Sequence, residues 1–230
     1  MPESKIAVVS ADWRPQFLDG LAAADRKKIL AAASVRRFAA RSVITNQCHP
    51  ADYLFLLTKG RARYFFDAAE GQHILLLWVA SGETIGANVL LAKPATYLVS
   101  TEAVRECSML VWHRTTIRSF VAQYPILLEN AFSVASEYLA WAVAAHVALS
   151  CHTAEQRLAG VLNSLSQVIG QKVSGGVELD VTNEELANSA NVTQFTASRL
   201  LSAWQRQGAL KKSRGKLLVC NPARMFLHES

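Results

Sequence analysis

The hydrophobic positions of the chain follow three successive patterns. Residues 21–38 carry apolar side chains at helical spacing, which predicts a short amphipathic helix. Between residues 42 and 112, short apolar runs are separated by glycines, a pattern typical of a small antiparallel β-barrel or jelly roll. Residues 126–150 contain no Gly or Pro and few charged side chains, which predicts one long helix.

The long helix is apolar around much of its circumference, so one neighbour is not enough to cover it. We expect its own barrel to cover one side and the same helix of a second chain to cover another, in a twofold homodimer. The remaining residues predict one further helix, two shorter helices and a basic hairpin. The expected α+β organisation is a β-barrel domain at 1–125, a dimerisation helix at 126–151 and a third domain at 152–230.

The third domain contains the pattern of a helix-turn-helix. Thr182 and Glu185 have the spacing of a capping box, so a helix is expected to begin at Asn183. Asn191 tolerates the left-handed conformation that a tight turn requires, and Thr193 can cap a second helix. The inward face of that second helix is expected to consist of four residues at helical spacing: Ala197, Leu200, Leu201 and Trp204.

The charge of the chain is concentrated near this motif. The formal net charge is +6, and residues 194–224 include seven basic residues and no acidic one. A helix-turn-helix that serves only as a scaffold gives no reason to exclude carboxylates from such a segment. Binding to double-stranded DNA does give a reason to exclude them, because each cation that neutralises a phosphate strengthens binding.

The outward residues of the second helix are the candidates for reading bases in the major groove. Arg199 can donate to guanine O6 and N7 together, and the Gln194 amide can pair with adenine. Ser198 lies on the same side, and Phe195 can offer only an apolar contact, for instance to a thymine methyl group. The hairpin that follows is expected to lie along phosphates with four basic residues: Lys211, Lys212, Arg214 and Lys216.

The order of barrel, long helix and winged helix-turn-helix resembles the cyclic-AMP receptor protein and fumarate-nitrate regulator family of bacterial transcription regulators. The resemblance covers nearly the whole chain and includes residues 17–21, 51–62, 81–86 and 181–210. It implies a cytoplasmic regulator that is not an enzyme. As partners it implies a second copy of the chain, a pseudo-palindromic operator in double-stranded DNA, RNA polymerase and a small-molecule effector.

The resemblance also implies roles for individual residues. In this family, the positions that match Gln194, Phe195 and Arg199 contact bases, and those that match Thr182 and the start of the second helix, at Thr193, contact phosphates. Arg199 keeps the identity that is usual in the family. Phe195 does not, because a Glu is usual there, so the common half-site of the family is not carried over to this chain.

The effector site departs further from the family. In members that bind cyclic AMP, a Gly-Glu-Leu motif and a later Arg-Ser pair hold the ribose and the phosphate, and a Thr-Ser pair on the long helix meets the base. This chain lacks these polar side chains, and a phosphate held without a cation in a low-dielectric pocket would cost on the order of several kcal/mol. We therefore expect neither cyclic AMP nor another cofactor. The candidate pocket for a different effector is Gly86, Ala87, Asn88, Tyr97, Leu98, Trp141 and Ala142.

Two alternatives stay open at this point. A constitutive regulator with a vestigial barrel fits the same pattern. A jelly-roll metalloenzyme needs ligands that converge on one barrel mouth, whereas His49, His73 and His113 are isolated, so no metal is expected. The longest stretch without a charged residue, 138–154, has 17 residues and is short for a membrane span, so no membrane is expected as a partner either.

Overall fold

The computed structural model describes residues 13–69, 73–93, 95–213 and 216–225. The chain divides into two compact units, Met1–Ala140 and Trp141–Ser230. The division falls inside a long helix, which contributes residues to both units. The three-part organisation at 1–125, 126–151 and 152–230 remains a prediction.

Two four-stranded antiparallel sheets form most of the N-terminal unit, with strand orders β1-β8-β3-β6 and β2-β7-β4-β5. Residues of both sheets pack into one hydrophobic core, as the predicted jelly roll requires. The sheets do not join into a closed barrel. The strands are β1 (Ser34–Phe38), β2 (Val43–Thr45), β3 (Tyr53–Lys59), β4 (Ala62–Asp67), β5 (His73–Val79), β6 (Thr84–Ile85), β7 (Ser100–Ala103) and β8 (Cys107–His113).

The prediction of a helix over residues 21–38 is wrong for the second half of that segment. Helix α1 covers Ala23–Ala31, and residues 34–38 form β1 instead, paired in register with β8. The first six residues of β8 are buried, so pairing gives the segment both backbone partners and a core to pack against. Val35 and Phe38 pack against that core, and the Trp112 indole donates a hydrogen bond of 2.8 Å to the Ile29 carbonyl of α1.

Two further helices follow the sheets: α2 (Arg114–Gln123) and α3 (Ile126–Cys151). The long helix predicted from residue 126 is confirmed, and only Leu127, Ala131 and Val134 are buried in it. The length and composition of α3 alone would allow it to cross a membrane. The sequence did not predict this, because the stretch without a charged residue, 138–154, is short for a membrane span. The surface of α3 also carries large exposed apolar side chains, as helical protein interfaces do: Phe132 is 74% exposed and Leu139 is 66% exposed.

The C-terminal unit is a winged helix-turn-helix. A four-stranded antiparallel sheet with the order β11-β12-β10-β9 lies in the same unit as three helices. The predicted hairpin is confirmed in β11 and β12. The elements are α4 (Ala154–Val168), β9 (Gln171–Val173), β10 (Gly176–Leu179), α5 (Asn183–Ser189), α6 (Gln194–Arg206), β11 (Leu210–Ser213) and β12 (Lys216–Val219).

Candidate functional site

The first helix of the motif begins with the predicted capping box. The Thr182 hydroxyl accepts a hydrogen bond of 3.1 Å from the Glu185 backbone N–H, and the Glu185 carboxylate accepts one of 2.7 Å from the Thr182 backbone N–H. The same hydroxyl donates to the carboxylate at 3.1 Å. Helix α5 therefore starts at Asn183 with its first N–H groups satisfied. The Thr182 hydroxyl is therefore already engaged within the cap.

The turn and the second cap also agree with the sequence. Asn191 has a φ of 49°, in the left-handed region, and the Val192 N–H donates to the Ala187 carbonyl at 2.9 Å. The Thr193 hydroxyl accepts from the Thr196 N–H at 3.1 Å, so α6 begins at Gln194. These local contacts fix where the second helix starts and in which direction its first turn faces.

One residue that sequence reasoning missed braces this turn. Arg157 of α4 donates to the Ala190 carbonyl at 2.9 Å, to the Asn191 carbonyl at 3.1 Å and to the His152 carbonyl at 2.9 Å. Its partners are backbone oxygens, which have no signature in sequence. Beside it lies a groove of about 470 Å³, lined by Ala154, Arg157, Asn191, Val192, Thr193 and Thr196.

Helix α6 has one buried face and one exposed face. The four predicted inward residues, Ala197, Leu200, Leu201 and Trp204, are all buried. The four candidate base-reading residues lie within one arc of the helix, since positions three and four apart share a side. Among them Gln194, Phe195 and Arg199 are exposed and Ser198 is half-buried. This set, Gln194, Phe195, Ser198 and Arg199, is called the recognition face below.

The basic hairpin places its lysines in different surroundings. Lys211 and Lys212 of β11 are exposed, and partial burial lowers the pKa of Lys212. Lys216 of β12 lies 2.6 Å from the carboxylate of Glu178 on β10, and this hydrogen bond raises its pKa. Sequence reasoning missed Glu178, which would compete with a phosphate for Lys216. Arg214, the fourth predicted phosphate contact, lies outside the described residues.

The candidate effector residues are brought together only in part. Gly86 has a φ of +81°, and a Cβ atom added there would lie 2.7 Å from the Tyr97 ring and 2.9 Å from the Tyr53 carbonyl. The Tyr97 hydroxyl donates to the Tyr53 carbonyl at 3.0 Å and accepts from its N–H at 3.2 Å. Burial raises the pKa of Tyr97. The ring therefore occupies the space next to Gly86, and its polar atom is already paired.

The other effector candidates are half-buried, exposed or bonded locally. The Asn88 amide donates to the Thr96 carbonyl, and Ala87 is half-buried. Leu98 is 78% exposed and so does not contribute to a buried lining. The last two candidates, Trp141 and Ala142, belong to the C-terminal unit and are exposed.

A group of buried and partly buried polar side chains was not predicted from the sequence. The Tyr64 hydroxyl donates to the Thr84 carbonyl at 3.1 Å, and the Tyr64 and Tyr138 rings meet edge to face at 6.0 Å. Glu83 accepts from the Ala80 N–H at 2.7 Å, and burial raises the pKa of this carboxyl. Across the described ranges, no group of three or more His, Cys, Asp and Glu side chains is placed to hold a metal ion.

Two family models match the chain, one in each unit. A cyclic nucleotide-binding domain matches residues 35–124, and a Crp-like helix-turn-helix domain matches residues 156–225. Among curated proteins, a CRP-like cAMP-activated global transcriptional regulator of Mycobacterium tuberculosis, found in strains CDC 1551 / Oshkosh and H37Rv, is 21% identical over 178 residues. That alignment covers 76% of this chain and 79% of the relative.

Solved structures show the same fold. The c-di-GMP responsive global regulator CLP of Xanthomonas campestris superposes with a TM-score of 0.74 at 20% identity, over 86% of this chain and 99% of that one. FixK2 of Bradyrhizobium japonicum superposes with a TM-score of 0.74 at 19% identity, over 84% of this chain and 95% of that one. These relatives are regulators rather than enzymes, which argues against the metalloenzyme alternative.

Proposed function

The chain belongs to the Crp/Fnr family of DNA-binding transcription regulators, and we propose that it acts as a homodimer on a pseudo-palindromic operator, under the control of an effector other than cyclic AMP. The observation that carries this proposal is the recognition face. Three of its four side chains are exposed, on a helix whose start is fixed by Thr193 and whose other face is buried. No acidic residue lies in the first turn of that helix, so nothing there repels a phosphate.

On DNA, each recognition face enters a major groove. Arg199 donates to guanine O6 and N7, Gln194 pairs with adenine, and Ser198 serves as an adaptable polar contact. Half-sites are about one helical turn, roughly 34–36 Å, apart, because the two copies of the reader are related by a twofold axis. The phosphates are contacted by the caps and by the hairpin, through Thr182, Thr193, Lys211, Lys212, Arg214 and Lys216.

The dimer is supported by the surface of α3. Phe132, Leu139, Val143 and Val147 are between 49% and 74% exposed in the single chain. Their separations of seven, four and four residues place them along one side of the helix. Pairing with the same helix of a second chain removes this apolar surface from water. The pairing therefore favours α3 as the dimer helix of a cytoplasmic protein over α3 as a membrane span. RNA polymerase is the further partner of such a regulator.

Control by an effector other than cyclic AMP is supported by the closure at Gly86. Tyr97 fills the space beside that glycine with a neutral, already bonded side chain, which supplies no cation for a cyclic phosphate. The relatives are described as activated by cAMP in one case and responsive to c-di-GMP in another, so the fold does not fix the effector. The same filling of the site favours a second candidate, a constitutive regulator.

The first experiment is selection of bound fragments from random DNA by the purified full-length protein, without effector and with added cyclic AMP. We expect an enriched palindrome whose half-site centres lie about 10 base pairs apart, unchanged by cyclic AMP. Enrichment without any ligand shows that the effector-free form binds DNA, so that control by an effector is then measured as a change in affinity for that palindrome. Absence of any enriched sequence under both conditions contradicts the proposed recognition face. Micromolar binding of cyclic AMP in titration calorimetry would contradict the interpretation of Gly86 and Tyr97.

A further inference from the structure

We propose that Phe195 makes this protein a reader of pyrimidine 5-methyl groups, so that thymine or 5-methylcytosine is bound more tightly than uracil or cytosine at one position of each half-site. The inference rests on the proposed function, because it concerns the same recognition face. It goes further by naming the chemical group that sets specificity at this position. It also predicts a response to base methylation that hydrogen-bond recognition alone would not produce.

The exposure of Phe195 is the first observation. Its side chain is 79% exposed, the largest value among the big apolar side chains in the described part of the chain. The two helical positions that follow it on the same side are polar, half-buried Ser198 and exposed Arg199. A phenyl ring in this setting gains nothing from the protein itself, so the free energy of its burial is available to a ligand.

The position of Phe195 in the helix is the second observation. It is the second residue of α6, whose start is held by the Thr193 cap, and Ala197 beside it is fully buried. The N-terminal residues of a recognition helix are those that approach base edges. The ring is therefore presented at the depth of the bases, on a helix turn whose direction is fixed before DNA binds.

The chemistry of the major groove then limits what the ring can recognise. Every base edge there carries hydrogen-bond donors or acceptors, and a phenyl ring offers neither. The apolar feature in the groove is the methyl group on C5 of thymine, and 5-methylcytosine presents the same group at the same place. Against unmethylated cytosine, the ring would cover the exocyclic N4 donor without replacing its hydrogen bond to water, which is unfavourable.

The charge of the first turn supports this role. Helices α4 and α5 each have glutamate in the first turn, Glu155 in one and Glu184 with Glu185 in the other, as the helix dipole favours. Helix α6 has none and carries Phe195 instead. Unlike a glutamate at that position, Phe195 neither repels a phosphate nor accepts a hydrogen bond from cytosine N4.

The geometry also places the methyl group relative to the guanine. Phe195 and Arg199 are four residues apart and share one side of the helix, so their contacts fall on neighbouring base pairs. We expect a thymine within about two base pairs of the guanine that Arg199 reads, in both half-sites.

The test uses the full-length protein and the palindrome obtained by selection. Each thymine near the contacted guanine is replaced in turn by deoxyuridine, which removes the methyl group and nothing else. For the wild type we expect one position per half-site at which affinity falls by about fourfold, the value for one buried methyl group. Placing 5-methylcytosine there instead of cytosine is expected to recover a similar factor.

The control variants separate the possible explanations. Because its side chain is exposed, Phe195→Ala is expected to fold normally and to bind thymine and deoxyuridine operators equally. Arg199→Ala is expected to bind more weakly yet to keep the thymine preference. If the wild type binds its operator and no deoxyuridine substitution changes affinity, the inference about Phe195 is overturned while the proposed function stands. If no sequence is enriched at all, both are overturned.

Discussion

The recognition face and the region around Gly86 differ in what their side chains are free to do. On α6, the hydrogen bonds that fix the helix are made by the cap and by the backbone, and Arg199 stays exposed. Around Gly86, the functional groups are consumed internally, with Tyr97 on the Tyr53 backbone and Asn88 on the Thr96 carbonyl. One region has the open polar groups that a ligand requires, and the other has filled its space.

This difference explains why we propose that DNA recognition is carried over from the family and cyclic AMP binding is not. Reading DNA needs exposed donors on a rigid frame, and the frame of α5 and α6 is built from contacts that do not involve those donors. Holding a small charged ligand needs unfilled volume and an unpaired cation. A single large side chain at position 97 removes the first and brings none of the second.

The largest expected effect comes from the recognition face. Arg199→Ala is expected to weaken operator binding by about 1–3 kcal/mol per half-site and to relax preference at one base pair, because the bidentate contact to guanine is lost. Arg206→Ala is the matched control, since it removes an exposed arginine from the last turn of the same helix. Fluorescence anisotropy with operator and single-site variants measures both. Unchanged affinity and preference in Arg199→Ala would show that the helix docks in a different register.

The closure at Gly86 predicts the next largest effect. Gly86→Ala is expected to destabilise the N-terminal unit by about 1–3 kcal/mol, because a positive φ and a close approach to Tyr97 act together. Gly82→Ala is the control, since Gly82 has a φ of +97° but its nearest neighbour would lie 3.8 Å away. Chemical unfolding of the full chain compares the two. Equal losses of stability would show that the Tyr97 ring is not fixed against Gly86.

The motif that reads DNA was predictable because its signals are local. The Thr182 and Glu185 spacing, Asn191 and the second cap at Thr193 each depend on residues within a few positions, and the structure confirms all of them. The strand at residues 34–38 was not predictable as such, since its stability comes from β8, about 75 residues further along the chain by register.

The contacts that sequence reasoning missed are long-range or involve the backbone. Arg157 braces the turn through carbonyl groups, and Glu178 reaches Lys216 across neighbouring strands. Tyr97 was grouped with Gly86 from the sequence, but its hydrogen bond to the Tyr53 carbonyl, 44 residues away, was not predicted. Residue types at these positions carry no signature of their partners, so a list of basic or aromatic residues could not show which of them are already engaged.

The ion pair in the wing predicts a smaller effect, of the opposite sign. Glu178→Gln is expected to strengthen binding to DNA of any sequence by about two- to threefold at low salt, because it frees Lys216 for a phosphate. The slope of log affinity against log salt should steepen by up to about 0.9. Glu129→Gln makes the same change in net charge in the N-terminal unit and controls for it. An unchanged slope in Glu178→Gln would show that Lys216 does not reach the DNA.

The smallest expected effect concerns the partly buried carboxyl of Glu83. Burial, and after it the nearby charge of Glu137, raises the pKa of Glu83, while its hydrogen bond from Ala80 lowers it. A raised pKa means that the folded chain holds this proton more tightly than the unfolded chain. The contribution of Glu83 to stability is therefore fully present below its unfolded pKa and is lost as the pH rises through its folded pKa.

Glu83→Gln keeps an oxygen for the Ala80 N–H and removes the charge at every pH. We expect the variant to be more stable than the wild type at pH 8, with a difference that shrinks towards zero as the pH falls to 4, because the wild-type carboxyl then becomes protonated and neutral as well. Thermal unfolding of the full chain at several pH values measures this difference, and exposed Glu106→Gln serves as the surface control. A difference that is constant with pH would mean that the carboxyl is not penalised by burial.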